Sequence, residues 1–156
     1  MARKQRKPWY KEGLHFECTQ CGECCTGSSG LVAFTMREAR GMADELDLST
    51  EDFLERYAQP STDDEGVWEM REVASPFGWD CILLDRCEDS GVTRCIAHQH
   101  RPSQCRTWPF WPDNLKNPKS WERAGRACEG IGSGRLVPLR VIQKDMDETP
   151  DWGLSR

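Results

Sequence analysis

The sequence predicts a small, loop-rich α+β domain with cysteine-rich metal sites, and three observations predict it. Nine of the 156 residues are cysteines, four of them in the stretch FECTQCGECCTG at residues 16–27. Helix start signals precede apolar residues at helical spacing, and short alternating or apolar runs lie between them. The apolar fraction is 37% and the mean hydropathy −0.73, a lean core for this length that needs metals or cross-links to support it.

Each element has its own signal. Thr35, Met36, Arg37 and Glu38 form a capping-box sequence that starts a helix from about Met36 to Leu46, with Ala39, Met42, Ala43 and Leu46 on one apolar face. Ser49, Thr50, Glu51 and Asp52 start a second helix, which carries Phe53, Leu54 and Tyr57 and ends before Pro60. Residues 67–73, VWEMREV, alternate as a strand does. Residues 81–84 and 93–97 read as a hairpin around Asp89, Ser90 and Gly91, each arm carrying a cysteine. A third helix is expected near Pro118 to Ala127. With no long linker, the chain reads as one unit: a basic flexible tail at 1–15, a metal-binding domain at 16–142 and a loose tail at 143–156.

The net charge is −5, with basic residues gathered at the extreme N-terminus and again between Arg94 and Arg106. That balance does not suit a nucleic-acid-binding domain. No apolar segment follows the basic start that could form a signal-peptide core or span a bilayer, which points to a cytoplasmic protein. In that reducing compartment clustered cysteines serve metal or redox chemistry more often than disulfides.

Cys18, Cys21 and Cys24 are each two residues apart, a spacing at which a tight turn aims successive sulfurs at one centre. Vicinal Cys24 and Cys25 fit one tetrahedron poorly, so one of them is expected to serve a second centre. Further ligands must come from Cys81, Cys87, Cys95, Cys105 and Cys128, or from His15, His98, His100 or a carboxylate. Four thiolates around a divalent ion or an oxidised four-iron cluster carry surplus negative charge, which Arg101 and Arg106 are placed to offset. Three prolines hold residues 101–112 extended on this reading. Trp108, Phe110 and Trp111 serve as shields for a cluster or as ordinary core.

Taken together, these motifs resemble the CxxCxxCC family of zinc- or iron-chelating domains. Phe16, Cys18, Cys21, Gly22, Cys24 and Cys25 match its first element, and Cys81, Leu84 and Asp85 resemble its second. Cys95, Arg101, Pro102, Cys105, Arg106, Pro109 and Phe110 resemble the third, and residues 128–132, CEGIG, the closing one. The resemblance implies eight metal ligands: Cys18, Cys21, Cys24, Cys25, Cys81, Cys95, Cys105 and Cys128. Cys87 lies outside the pattern, and His98 stands where the family usually has tyrosine.

The expected cofactor is an iron–sulfur cluster of the 4Fe-4S type or Zn2+, with a structural or electron-transfer role and a redox or substrate protein as partner. The two-residue spacing of the three cysteines leans toward iron–sulfur, although Cys25 follows at once where the ferredoxin pattern has spacers. Two other classes stay open. The chain is similar to the cysteine-cluster part of flagellin lysine methylases, which implies methyl transfer from S-adenosylmethionine, yet it has no Rossmann fingerprint or phosphate loop. A zinc-stabilised module binding RNA or protein through the basic tail and aromatics is the third reading.

Overall fold

Cap residues and proline positions decide where the chain turns helical. The computed structural model describes residues 7–151, and the fold is α+β. In chain order the elements are β1 (Leu14–Phe16), β2 (Ala33–Thr35), α1 (Met36–Glu45), α2 (Thr50–Tyr57), β3 (Ala58–Pro60), β4 (Val67–Met70) and β5 (Glu72–Ser75). There follow β6 (Gly78–Cys81), β7 (Leu84–Arg86), β8 (Thr93–Cys95), α3 (Ser103–Arg106), α4 (Pro112–Leu115), α5 (Pro118–Ala127), β9 (Ile131–Val137) and α6 (Leu139–Glu148). They sort into two compact units, one of residues up to Thr19 with Thr107–Thr149, the other chiefly Gln20–Arg106.

In the larger unit an antiparallel sheet of order β2-β4-β3 packs with α1 and α2. Phe34, Met42, Phe53 and Leu83 are fully buried between them, with Cys81 and Cys95 at the edge of that core. Two hairpins, β5–β6 and β7–β8, complete the unit. In the smaller unit β1 pairs with β9, and Tyr10, Phe110, Leu115, Trp121, Val137 and Ile142 form the core. Phe110 stacks on Trp121 and meets Phe16 edge-on, which makes it core.

The capping box at α1 forms as expected. Glu38 N–H donates to Thr35 Oγ1 at 3.3 Å, and Thr35 N–H donates to the Glu38 carboxylate at 2.8 Å. Glu38 does more than cap, because its other oxygen accepts from Ser103 N–H at 2.7 Å and Ser103 Oγ at 2.5 Å. Partial burial pushes its carboxyl up, but the bonds from Ser103 and Thr35 win and hold it below its usual 4.5. A carboxyl lowered by folding stabilises fully above its unfolded value and loses that contribution as pH falls through the folded one. Glu38→Gln should therefore cost roughly 1 kcal/mol near neutrality. The gap to wild type, read by urea unfolding across pH, should narrow below about pH 4.5.

Several expectations needed correction. The strand at 67–73 is two strands, because Arg71 breaks the ladder: its N–H donates to Tyr57 O (2.9 Å) and its carbonyl accepts from Ile82 N–H (3.0 Å). The hairpin expected from 81–84 and 93–97 pairs Leu84 with Cys95, while Cys81 ends β6 in the neighbouring hairpin opposite Glu72. Residues 101–112 are not extended throughout. Pro102 O accepts the N–H groups of Cys105 and Arg106, which places Cys105 on the single turn α3, and Pro112 opens α4. Residues 143–148, read as the start of a loose tail, continue α6, and Met146 packs against the core. Of the N-terminal tail, residues 7–15 include buried Tyr10 and most of β1, while residues 1–6 lie outside the described residues.

Candidate metal centre

The loop carrying the vicinal cysteines is pinned on both flanks. Gln20 (φ 59°) and Gly22 (φ 78°) take left-handed backbone, and a 3₁₀ turn at Glu23–Cys25 follows, with Cys25 N–H donating to Gly22 O at 2.9 Å. On one flank buried Thr93, two residues before Cys95 on β8, donates its hydroxyl to Gln20 O at 2.6 Å. On the other, Thr26 donates to Asp80, the residue before Cys81 on β6, and Trp79 N–H donates to Gly27 O at 2.7 Å. The loop thus lies against the two strands that deliver Cys81 and Cys95.

Glycine at 22 is a steric requirement as well as a conformational one. A Cβ there would stand 2.5 Å from Thr93 Oγ1. Gly66 also has φ 78° but nothing within 4 Å of a Cβ. Gly22→Ala should cost about 1 to 3 kcal/mol in denaturant unfolding, and more than Gly66→Ala, since both carry the backbone strain and only Gly22 carries the clash.

Cys105 is held from both sides of its own turn. Buried Gln104 donates its amide to Leu31 O at 2.6 Å and accepts Ala33 N–H at 3.1 Å, so α3 sits against β2. Ser103 is tied to Glu38 as described. Sequence reading singled out Cys105 but not these neighbours. Gln104 next to a cysteine carries no signal until the strand it grips is known.

The thiols act on one another electrically. Cys24 and Cys25 Sγ atoms are 3.7 Å apart and share a hydrogen bond. That bond brings Cys24 down to about 7, against partial desolvation, with its own backbone N–H and the Arg101 charge assisting. The same bond, then burial and the charges of Cys24, Cys81 and Cys105, push Cys25 well up, so the pair's proton sits on Cys25. Burial pushes Cys81 up to about 11, with Cys95, Glu72 and Cys24 adding to it. Burial also raises Cys105, reinforced by Cys81, Cys24 and Cys95 and opposed by Arg101. Cys95 is raised by burial too, against help from Ala97 N–H and Arg101. Every pair among Cys24, Cys25, Cys81 and Cys105 is therefore electrically coupled, and Cys95 is coupled to three of them.

The other candidates stand elsewhere. Cys21 lies partly buried between Gln20 and Gly22. Cys18 and Cys128 belong to the smaller unit, where Glu17 N–H donates to Gly130 O at 3.2 Å and Thr19 Oγ1 to Glu129 at 2.5 Å, running their segments side by side. Cys87 is exposed in the β7–β8 turn, its thiol held low by the Ser90 side chain. His15 bonds Gly134 O at 2.9 Å and His100 bonds Glu45 at 3.0 Å. Arg101 donates Nε–H to His98 O at 2.9 Å and its charge favours the thiolates of Cys24, Cys95 and Cys105, while Arg106 ends α3 exposed. Among the described residues no three His, Cys, Asp or Glu side chains stand as the ligands of an ion.

The donor set nonetheless fits a soft metal in two respects. Thiolates are the preferred ligands of zinc and iron, and these thiols are drawn from four separate segments to one region. The spacing of the vicinal pair also fits. Four sulfurs at about 2.3 Å from a tetrahedral ion are about 3.8 Å apart along each edge, and Cys24 and Cys25 stand at 3.7 Å. The expectation that these two must serve separate centres is not required by their geometry.

Residues 17–129 match the model of the CxxCxxCC family, described as "Putative zinc- or iron-chelating domain". The chain belongs to the CxxCxxCC family. The match contains all nine cysteines, from Cys18 to Cys128. A CxxCxxCC domain is a metal chelator, and metal binding is the function this chain shares with it. No solved structure matches the chain. Among the described residues no helix is long and apolar enough to cross a membrane.

Proposed function

We propose that the chain is a metal-chelating protein whose larger unit holds one ion through four thiolates, Cys24, Cys25, Cys81 and Cys105, in a structural role. The observation that carries this reading is the 3.7 Å spacing of the Cys24 and Cys25 Sγ atoms, which matches an edge of a four-sulfur tetrahedron, in a loop bonded to the strand that ends on Cys81. Zinc, bound there, would supply four strong bonds and no redox change. The chain's own part is to present the sulfurs: the 3₁₀ turn presents Cys24 and Cys25, β6 ends on Cys81, and the Gln104 and Ser103 anchors fix Cys105. Cys95 adds its charge to this group, and Cys18 and Cys128 both belong to the smaller unit. Arg101 offsets thiolate charge.

A second reading keeps the eight-cysteine set for iron–sulfur chemistry of the 4Fe-4S type, four cysteines to a cluster, that passes electrons to a partner protein. It is favoured by the two-residue spacing of Cys18, Cys21 and Cys24. Elemental analysis and acid-labile sulfide of protein purified without air separate the two. The first reading expects one zinc or iron per chain and no inorganic sulfide. A brown protein with several irons and matching sulfide would replace it with the second.

A further inference from the structure

A charged network lies directly behind two of the proposed ligands, and the sequence reading passed over it. Asp80 is 6% exposed. It accepts Nε–H of Arg86 at 3.0 Å, Nη2–H of Arg86 at 3.1 Å, the Ser75 hydroxyl at 3.0 Å and the Thr26 hydroxyl. Thr26 adjoins Cys25 in sequence and Asp80 adjoins Cys81, so one carboxylate ties together the two segments that present those sulfurs. The exposed Phe77 ring covers the guanidinium, whose central carbon is 4.5 Å from the ring centroid.

The fork on Asp80 and the Phe77 ring leave Arg86 little rotational freedom. It is a fixed cation, unlike an exposed lysine or arginine whose charge water and salt screen. Its charge stands beside the site, because Asp80, which it grips, also accepts the hydroxyl of Thr26, the residue after Cys25, and itself precedes Cys81. A thiolate site loses affinity when the cation that offsets its charge is removed, even with every ligand in place.

We propose that Arg86 is a positioning residue of the metal centre: held by Asp80 and covered by Phe77, it compensates thiolate charge at Cys25 and thereby sets how tightly the group binds its ion. This rests on the reading of Cys24, Cys25, Cys81 and Cys105 as a ligand set.

The experiment is a cobalt(II) titration of the full chain under reducing, anaerobic conditions, comparing wild type with Arg86→Gln and Arg86→Lys, together with melting of the metal-free proteins. The expected result is a visible cobalt spectrum of unchanged shape in all three. Affinity should fall roughly tenfold or more in Arg86→Gln and recover most of the way in Arg86→Lys. Arg86→Met, whose apolar stem keeps packing on Phe77, replaces the glutamine variant should that fail to fold. Equal cobalt affinity in wild type and a folded neutral variant would overturn the proposal while leaving the ligand set intact, whatever the melting shows. Equal losses in Arg86→Gln and Arg86→Lys would assign Arg86 a purely structural part and overturn it too. If wild type takes up no cobalt, the ligand-set reading fails and this inference with it.

Discussion

Cys105→Ser should lose bound metal and stability in one step. The side chain is pushed toward its neutral thiol by desolvation and by Cys81, Cys24 and Cys95, so in the metal-free protein it is a small partly buried group that serine replaces with little change of volume. A structural thiol would then give a modest melting change and no metal phenotype. A ligand gives both, because an ion that binds only the folded chain stabilises it by about 4 kcal/mol at a thousandfold excess over its dissociation constant. For a chain of this size that corresponds to a melting temperature lower by roughly 10 °C. Cys87→Ser, changing an exposed cysteine outside the ligand set, should leave both metal content and melting unchanged. Unaltered metal content in Cys105→Ser would remove this residue from the site.

Asp80→Ala should be the most damaging substitution that touches no sulfur. The carboxylate is held low, to about 2, first by the Arg86 fork and then by Thr26, with Ser75 and the Arg86 charge adding against burial. Its loss strands the Arg86 guanidinium and removes the acceptor shared by two hydroxyls, at a cost of roughly 3 kcal/mol. Asp85→Ala provides the contrast. Its Arg94 contact at 2.9 Å is as short, but the side chains are 48% and 72% exposed, and such surface pairs contribute less than about 1 kcal/mol. Thermal and urea unfolding of the two variants should separate them clearly. Equal effects would mean that the Asp80 network does not hold the hairpin to the cysteine loop.

The local parts of this architecture were legible in the sequence. Helices α1, α2 and α5 announce themselves through Thr35, Ser49 and Pro118, residues whose preferences act within one turn. The cysteine pattern was legible too, since ligand chemistry is written in residue type. What escaped was non-local. Arg71 lies in an alternating run, yet it falls between two strands, its N–H donating to Tyr57 O and its carbonyl accepting from Ile82 N–H. The prolines near Cys105 read as holding the chain extended, when Pro102 and Pro112 open helical turns. Helix α6 begins without a side-chain cap, so no start signal marked it and its second half read as loose tail. The Asp80 network joins residues 26, 75, 80 and 86, and nothing in such scattered polar positions points to a common partner before the fold is known.

The central claim is that Cys24, Cys25, Cys81 and Cys105 together bind one ion. Cobalt(II) titration of the reduced protein and of the four single serine variants tests it most directly, because the visible bands of tetrahedral cobalt report both stoichiometry and the number of sulfurs bound. The account predicts one cobalt per chain with a four-sulfur spectrum, altered or lost in each of the four variants. A wild-type protein that binds no cobalt, or a four-sulfur spectrum that survives any one of those four substitutions, would contradict it.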